Sequence, residues 1–275
     1  MISIRRRTLL LVLPWIMSAG LLAQTQRQAA PPEPKVGQPG KDVVWVPTPD
    51  AVVAKMLDMA AVTPQDYVID LGSGDGRTVI GAARRGATAH GIEYNPDLVV
   101  LSRRAAAAAG VGDRATFAQA DLFNSDFSRA TVLTMFLLPE INMRLRPIIL
   151  GLKPGTRIVS NTFSMQDWEA DEIATVANCP VYCTVHLWLV PAKVEGVWRL
   201  PAGDLELQQQ FQVVRGTLTS GTSTTPTAGG RLRGDRISFT VAGDQYVGRV
   251  NGDAMDGTMR SQGATSTWRA TRVRR

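Results

Sequence analysis

The segment Asp70-Leu71-Gly72-Ser73-Gly74-Asp75-Gly76-Arg77 places three glycines at every second position behind an acid. A short apolar run, Tyr67-Val68-Ile69, precedes it, and residues 78–85 read as a helix. A strand, a glycine turn and a helix N-terminus in that order are where α/β folds hold nucleotide-like ligands. Glycine at such a turn lets the backbone approach a ligand where a Cβ would clash. The spacing is not the dinucleotide fingerprint G-x-G-x-x-G, because its third glycine would fall on Arg77. Two more acids close strand candidates downstream. Glu93 ends the run Ala87-Thr88-Ala89-His90-Gly91-Ile92-Glu93, and Asp121 follows residues 115–120, with Leu122 and Phe123 next. An acid at the end of the second strand is placed to accept hydrogen bonds from both hydroxyls of a ribose.

Positioning three such acids takes an alternating α/β chain, and the pattern supplies one. Residues 43–49 (VVWVPTP) open the folded region. Residues 50–61 follow with Val52, Val53, Met56, Leu57 and Ala60 at helical spacing. Residues 67–71 are the first strand, and 98–109 are an alanine-rich helix closed by Gly110. Residues 131–138 (TVLTMFLL) form a continuous apolar run, as in a central parallel strand covered on both faces. Residues 140–152 read as a helix kinked at Pro147, and 156–161 and 182–190 as strands. The alternation predicts a parallel sheet with helices on both faces.

From residue 195 onward the helical period disappears. Strand candidates lie at 196–200, 205–218, 230–241, 245–250, 255–260 and 265–273, separated by turn signals. Residues 219–229 are low-complexity Thr, Ser and Gly and are expected to be a mobile loop. The whole is expected to form a small antiparallel sheet or partial barrel without chemistry of its own. Its arginine-rich end (Arg269, Arg272, Arg274, Arg275) reads as a solvated edge.

At the other end, Arg5, Arg6 and Arg7 precede an apolar run over residues 8–23, interrupted by Pro14 and Gly20. Residues 1–23 read as a signal peptide or a membrane anchor, although the run is short for a span of about 20 residues. Residues 24–42, rich in Gln, Pro and Gly, are expected to be a disordered linker. Removing residues 1–23 takes the three arginines with it and lowers the formal charge from +6 to +3. The basic balance is therefore partly a targeting feature, and nucleic acid is not expected as a partner. Cys179 and Cys183 read as core cysteines, since an extended C-x3-C puts their Cα atoms about 13 Å apart, beyond disulfide reach. A disulfide would need a turn at Pro180. With two histidines, His90 and His186, no metal site is expected.

The D-x-G-x-G-x-G form resembles motif I of the class I S-adenosylmethionine (SAM) methyltransferases. Together with Trp45-Val46-Pro47-Thr48-Pro49, Gly91-Ile92-Glu93-Tyr94-Asn95-Pro96 and Asp121-Leu122-Phe123, the chain resembles one branch of them: the membrane-associated seven-strand lysine methyltransferases of the adenine nucleotide translocase and of the c-type ring protein of ATP synthase, with their bacterial relatives. The resemblance covers roughly residues 43–170 and none of the β-rich tail. It implies a Rossmann-like seven-strand sheet, a methyltransferase domain over residues 43–194 and a β-rich C-terminal domain over 195–275. It also implies SAM as cofactor, held by Asp70, Gly72, Ser73, Gly74, Asp75, Gly76, Glu93, Tyr94, Asn95, Asp121 and Leu122. Asp121 would accept from the adenine amine, with Leu122 or Phe123 against the ring.

The implied reaction is methyl transfer to an amine such as a protein lysine. Phe136-Leu137-Leu138-Pro139 stands where many amino-group methyltransferases of DNA and glutamine carry an Asn-Pro-Pro-Tyr type element, so the resemblance supports SAM more than it supports lysine. Walls for the acceptor are expected from Trp45, Pro47, Thr48, Leu138, Pro139 and Trp168, within the stretches 45–49 and 163–168. Asp167 or Glu140 could orient an amine, surface solvation being the plainer role for each, and no residue stands out as a catalytic base. Export would separate the protein from cytosolic SAM. Two alternatives follow: an exported, non-catalytic binding or structural protein that keeps the fold, and a methyltransferase acting on a small molecule or RNA. The expected partner is a protein or small-molecule methyl acceptor, with membrane association through the N-terminal segment.

Overall fold

The structure, a computed structural model, describes residues 34–273. The expected signal or anchor, residues 24–33 of the expected linker, and Arg274 and Arg275 lie outside the described residues.

The α/β half comprises α1 (Asp50–Met59), β1 (Tyr67–Leu71), α2 (Arg77–Arg84), β2 (Thr88–Glu93), α3 (Pro96–Ala108), β3 (Ala115–Gln119), β4 (Val132–Met135), α4 (Pro139–Ile149), β5 (Arg157–Asn161), β6 (Glu172–Thr175) and β7 (Thr184–Leu189). The strands form one seven-stranded sheet in the order β3-β2-β1-β4-β5-β7-β6. β1 to β5 are parallel, whereas β7 runs antiparallel to both β5 and β6. The sheet is therefore mixed at one edge. β6 escapes a reading of the sequence because its residues are mostly exposed and form no apolar run.

α1, α2 and α3 cover one face through Val52, Met56, Leu57, Val79, Ala83 and Val99. α4 covers the other through Ile141, Leu145 and Ile149, beside the fully buried Trp168 and Trp188. Each helix start follows from its residues. Asn95 caps α3 by accepting from the Asp97 N–H at 2.9 Å, with Pro96 at the first helical position. Pro139 opens α4 in the same way, and α4 contains Pro147 and ends at Ile149, earlier than its pattern suggests.

The C-terminal half is a closed eight-stranded antiparallel barrel: β8 (Gly196–Leu200), β9 (Gly203–Gln210), β10 (Val213–Ser220), β11 (Ser223–Arg233), β12 (Arg236–Val241), β13 (Asp244–Asn251), β14 (Ala254–Ser261) and β15 (Ala264–Arg272). It closes where Thr271 and Arg272 pair with Arg199 and Trp198. Trp198, Leu205, Phe239, Met255 and Trp268 fill its interior. Three expectations are corrected here. Residues 205–218 and 230–241 each hold two strands, hinged at residues 211–212 and 234–235. The stretch 219–229, expected as a mobile loop, is mostly strand, paired to β10 and β12. Its polar residues belong to a barrel wall whose outer side faces water.

The barrel rests on the α4 face of the sheet. Phe211 stacks on Trp168 at 5.8 Å, the Gln212 side chain donates to the Glu169 carbonyl at 2.8 Å, and Arg231 pairs with Asp171 at 3.1 Å. Trp168 is thus a docking residue of the core, not a wall of the acceptor site.

Candidate active site

The C-terminal ends of β1, β2, β3 and β4 open onto one cleft, of about 1330 Å³, that contains the glycine turn and all three acids. The turn after β1 passes through left-handed backbone at Gly72, Gly74 and Gly76 before α2 begins. At Gly74 (φ 54°) a Cβ would also lie 2.6 Å from the Trp45 indole nitrogen. Glycine there is required both by conformation and by the ring laid across it.

Asp70, near the end of β1, is 5% exposed. The Thr134 hydroxyl donates to its carboxylate at 2.6 Å. Burial pushes its carboxyl up to about 7, the Thr134 bond opposes this, and the nearby Glu93 charge adds to it. A carboxylate so placed lacks a cation, and an ammonium group in the cleft would supply one. Glu93 receives the Gly74 N–H on Oε2 at 2.9 Å and the Asn95 N–H on Oε1 at 2.8 Å. It therefore ties the glycine turn to the start of α3. Asp121, just after β3, caps the short 3-10 turn Leu122–Asn124 by accepting from the Phe123 N–H at 3.0 Å. The Lys41 ammonium bonds Asp121 at 2.6 Å and holds its carboxyl below the usual carboxylate range. Buried carboxylate, glycine cradle and a second and third acid spaced along the strand ends fit a cationic amino acid joined to a nucleoside, which is the chemistry of SAM.

Asp75 has a structural task. It takes Arg77 Nε at 3.0 Å and Nη2 at 2.6 Å, while Arg77 Nη1 reaches the Thr48 carbonyl at 2.9 Å. The pair thereby fastens segment 45–49 over the glycine turn. Trp45, Pro47, Thr48 and Leu138 all line the cleft, as do Ser73, Tyr94, Asn95 and Leu122. Ser73 turns its hydroxyl toward Gly91 and makes no hydrogen bond there. Pro139 and Trp168 do not line the cleft: the first begins α4 and the second is buried under the barrel. Asp167 is bonded to Arg146, and Glu140 is exposed in the first turn of α4.

Two features lie beyond the sequence reading. Part of the expected disordered linker folds as a hairpin at the cleft. The Gly37 N–H donates to the Trp45 carbonyl at 2.8 Å and the Trp45 N–H to the Gln38 carbonyl at 3.0 Å, which delivers Lys41 to Asp121. Its Pro and Gly content marks turns here rather than disorder. The second feature is a disulfide between Cys179 and Cys183, with Cα atoms 5.7 Å apart, which corrects the reading of two core cysteines. The extended spacing does not apply because the chain turns between them, with Asn178 and Tyr182 in left-handed backbone.

Comparison with known proteins agrees with this geometry. The ANTKMT methyltransferase domain matches residues 70–172. A protein-lysine N-methyltransferase of Saccharolobus islandicus is 40% identical over 151 residues, covering 54% of this chain and 94% of that protein. The human lysine N-methyltransferase that acts on the C-type subunit of ATP synthase is 36% identical over 107 residues, covering 38% of this chain and 46% of that protein. The chain thus spans about half the length of that relative. Among solved structures, an RNA methyltransferase from Salinibacter ruber in complex with S-adenosyl-L-homocysteine is 48% identical, with a TM-score of 0.52, over 54% of this chain and 96% of that one. These likenesses favour an enzyme over a non-catalytic binding protein.

Proposed function

The chain belongs to the family of class I SAM-dependent methyltransferases that includes the S. islandicus protein-lysine N-methyltransferase, and from that premise we propose that it methylates a lysine amine of a protein. The observation that carries the cofactor assignment is the buried Asp70 carboxylate, short of a cation at the head of a glycine cradle. SAM supplies a methyl group on a positively charged sulfur. Asp70 binds the ammonium of its methionine part, Glu93 the ribose hydroxyls, and Asp121 the adenine amine, with Leu122 beside the ring. Gly72 and Gly74 leave room for the ligand, and Trp45, Thr48 and Leu138 exclude water from the methyl group. A lysine must be neutral to accept a methyl, and a cleft walled by these residues favours the neutral amine because desolvation disfavours the ammonium. Catalysis then rests on positioning and exclusion of water.

The names of the two lysine methyltransferases support lysine, and that of the S. ruber protein supports RNA as the second reading. Labelled methyl from SAM, supplied with this protein to cell extract, separates them. Methyllysine in the acid hydrolysate of the protein fraction is expected; label confined to RNA or to small molecules would overturn the lysine assignment.

We further propose that the protein is exported or anchored by residues 1–23. The basic-then-apolar N-terminal segment and the disulfide both support this, since disulfides persist in oxidising compartments. N-terminal sequencing and fractionation of the native protein test it. A soluble cytosolic protein that retains residues 1–23 would refute it.

A further inference from the structure

Three aromatic rings from three separate segments meet at the cleft: Phe136 after β4, Phe163 after β5, and Tyr182 before β7. Phe136 and Phe163 stack with centroids 5.9 Å apart, and Tyr182 stands edge-on to Phe136 at 5.0 Å. Two of these rings are delivered by costly backbone. Thr162 (φ 62°) immediately precedes Phe163, and Tyr182 is itself at φ 58°. Positive φ is a genuine outlier for β-branched or bulky residues and persists only where the surroundings enforce it.

Both are enforced here. The Thr162 N–H donates to the Thr184 carbonyl at 2.6 Å and its hydroxyl to Asn161 Oδ1 at 3.0 Å. Tyr182 lies within the ring closed by the Cys179–Cys183 disulfide. Yet Tyr182 remains 36% exposed and its neighbour Val181 51% exposed. A core contact would need neither a cross-link nor strain to leave a large ring half in water; a surface that receives a ligand would.

The position says which ligand. Along the strand ends, Asp121 and Lys41 lie on the β3 side of the glycine turn, and the three rings lie on its β4, β5 and β7 side. The turn and β4 meet directly, a Cβ on Gly72 falling 3.0 Å from Leu137. A nucleoside reaching from Asp121 to Asp70 leaves the aromatic side open to the second substrate. We propose that Phe136, Phe163 and Tyr182 form the wall against which the aliphatic stem of the acceptor lysine lies, with Tyr182, braced by the disulfide, as its specificity-determining residue. This rests on the lysine reading above. Aromatic faces suit a stem that ends in an amine, because they bury methylenes and tolerate cationic nitrogen.

The test measures methyl transfer from labelled SAM to Nα-acetyl-lysine N-methylamide by the full chain, with SAM affinity measured in parallel by titration. Tyr182→Ala is expected to raise the KM for the lysine compound at least tenfold, and Tyr182→Phe to keep it within about twofold. Cys179→Ser/Cys183→Ser is expected to fall between them. SAM affinity is expected to be unchanged in all three, which separates loss of the wall from loss of the fold. Methylation of the lysine compound with a KM that Tyr182→Ala leaves unaltered would overturn the wall while leaving the lysine reading intact. Transfer of label to RNA and none to the lysine compound would instead overturn the lysine reading, and with it the proposed occupant.

Discussion

Glycine serves the α/β half and the barrel in different ways. In the α/β half Gly74 sits at a strand end in left-handed backbone beneath the Trp45 ring, where the chain leaves the sheet and space opens for a ligand. In the barrel Gly248 sits inside β13, where a Cβ would lie 2.6 Å from the Trp268 ring and equally close to the Asp256 carbonyl. That glycine closes space instead of opening it. The indole of Trp268 is correspondingly satisfied, donating toward the Val247 and Thr258 carbonyls at 3.2 and 3.1 Å. Asp70, at the site, stays buried without a cation. One half holds a polar group in a state that a ligand would relieve; the other has spent its residues on closing a wall. Function is expected to break with the first half and stability with the second.

The largest effect is expected from Gly74→Val. Left-handed backbone strain and collision with Trp45 together cost about 2–6 kcal/mol, enough to abolish SAM binding in a calorimetric titration while the barrel stays folded. A barrel that melts along with it would break the comparison.

Next is the pH response of Asp70. Its carboxyl moves from an ordinary value of about 3.9 to about 7 on folding. Between those values the native state holds the extra proton, so this group makes the protein lose stability as pH rises from about 4 to 7, and the penalty is full above 7. A bound ammonium requires the ionised form, so SAM affinity is expected to fall up to tenfold per unit as pH drops below 7. Asp70→Asn is expected to raise the melting temperature at pH 8, to weaken SAM binding and to flatten that pH dependence. A melting temperature lowered at pH 8 would contradict the burial argument.

For the barrel, Gly248→Val is expected to cost about 1–3 kcal/mol by overpacking, read as a lowered denaturation midpoint with SAM affinity intact. The smallest effect belongs to Arg77→Lys, which keeps the charge but loses the fork that joins Asp75 to the Thr48 carbonyl. A severalfold loss of SAM affinity is expected, and an unchanged value would mean that segment 45–49 needs no such fastening.

How much of this was legible in the sequence follows from range. The glycine turn, Asp70, Glu93 and Asp121 are each encoded within a few residues of a strand end, and the structure gathers them at one cleft. Closure of the barrel was hidden because its hairpins do not carry the usual turn residues. The β9–β10 hairpin turns through Phe211 and Gln212, with Phe211 in left-handed backbone and its ring spent on Trp168. Trp168 was misplaced for the same reason: an aromatic residue beside the site and one beneath the barrel look alike in sequence. Lys41 and Tyr182 were out of reach, since each matters through a partner far along the chain or across a turn that only the disulfide closes.

The central claim is that the three strand-end acids form a SAM site, and titration of SAM into the full chain, with Glu93→Ala as the comparison, tests it most directly. The account predicts micromolar binding weakened at least tenfold by the substitution, since charge-assisted hydrogen bonds of about 1.5–3 kcal/mol are lost. Absence of binding in a well-folded sample, or binding that Glu93→Ala leaves unaltered, would contradict it.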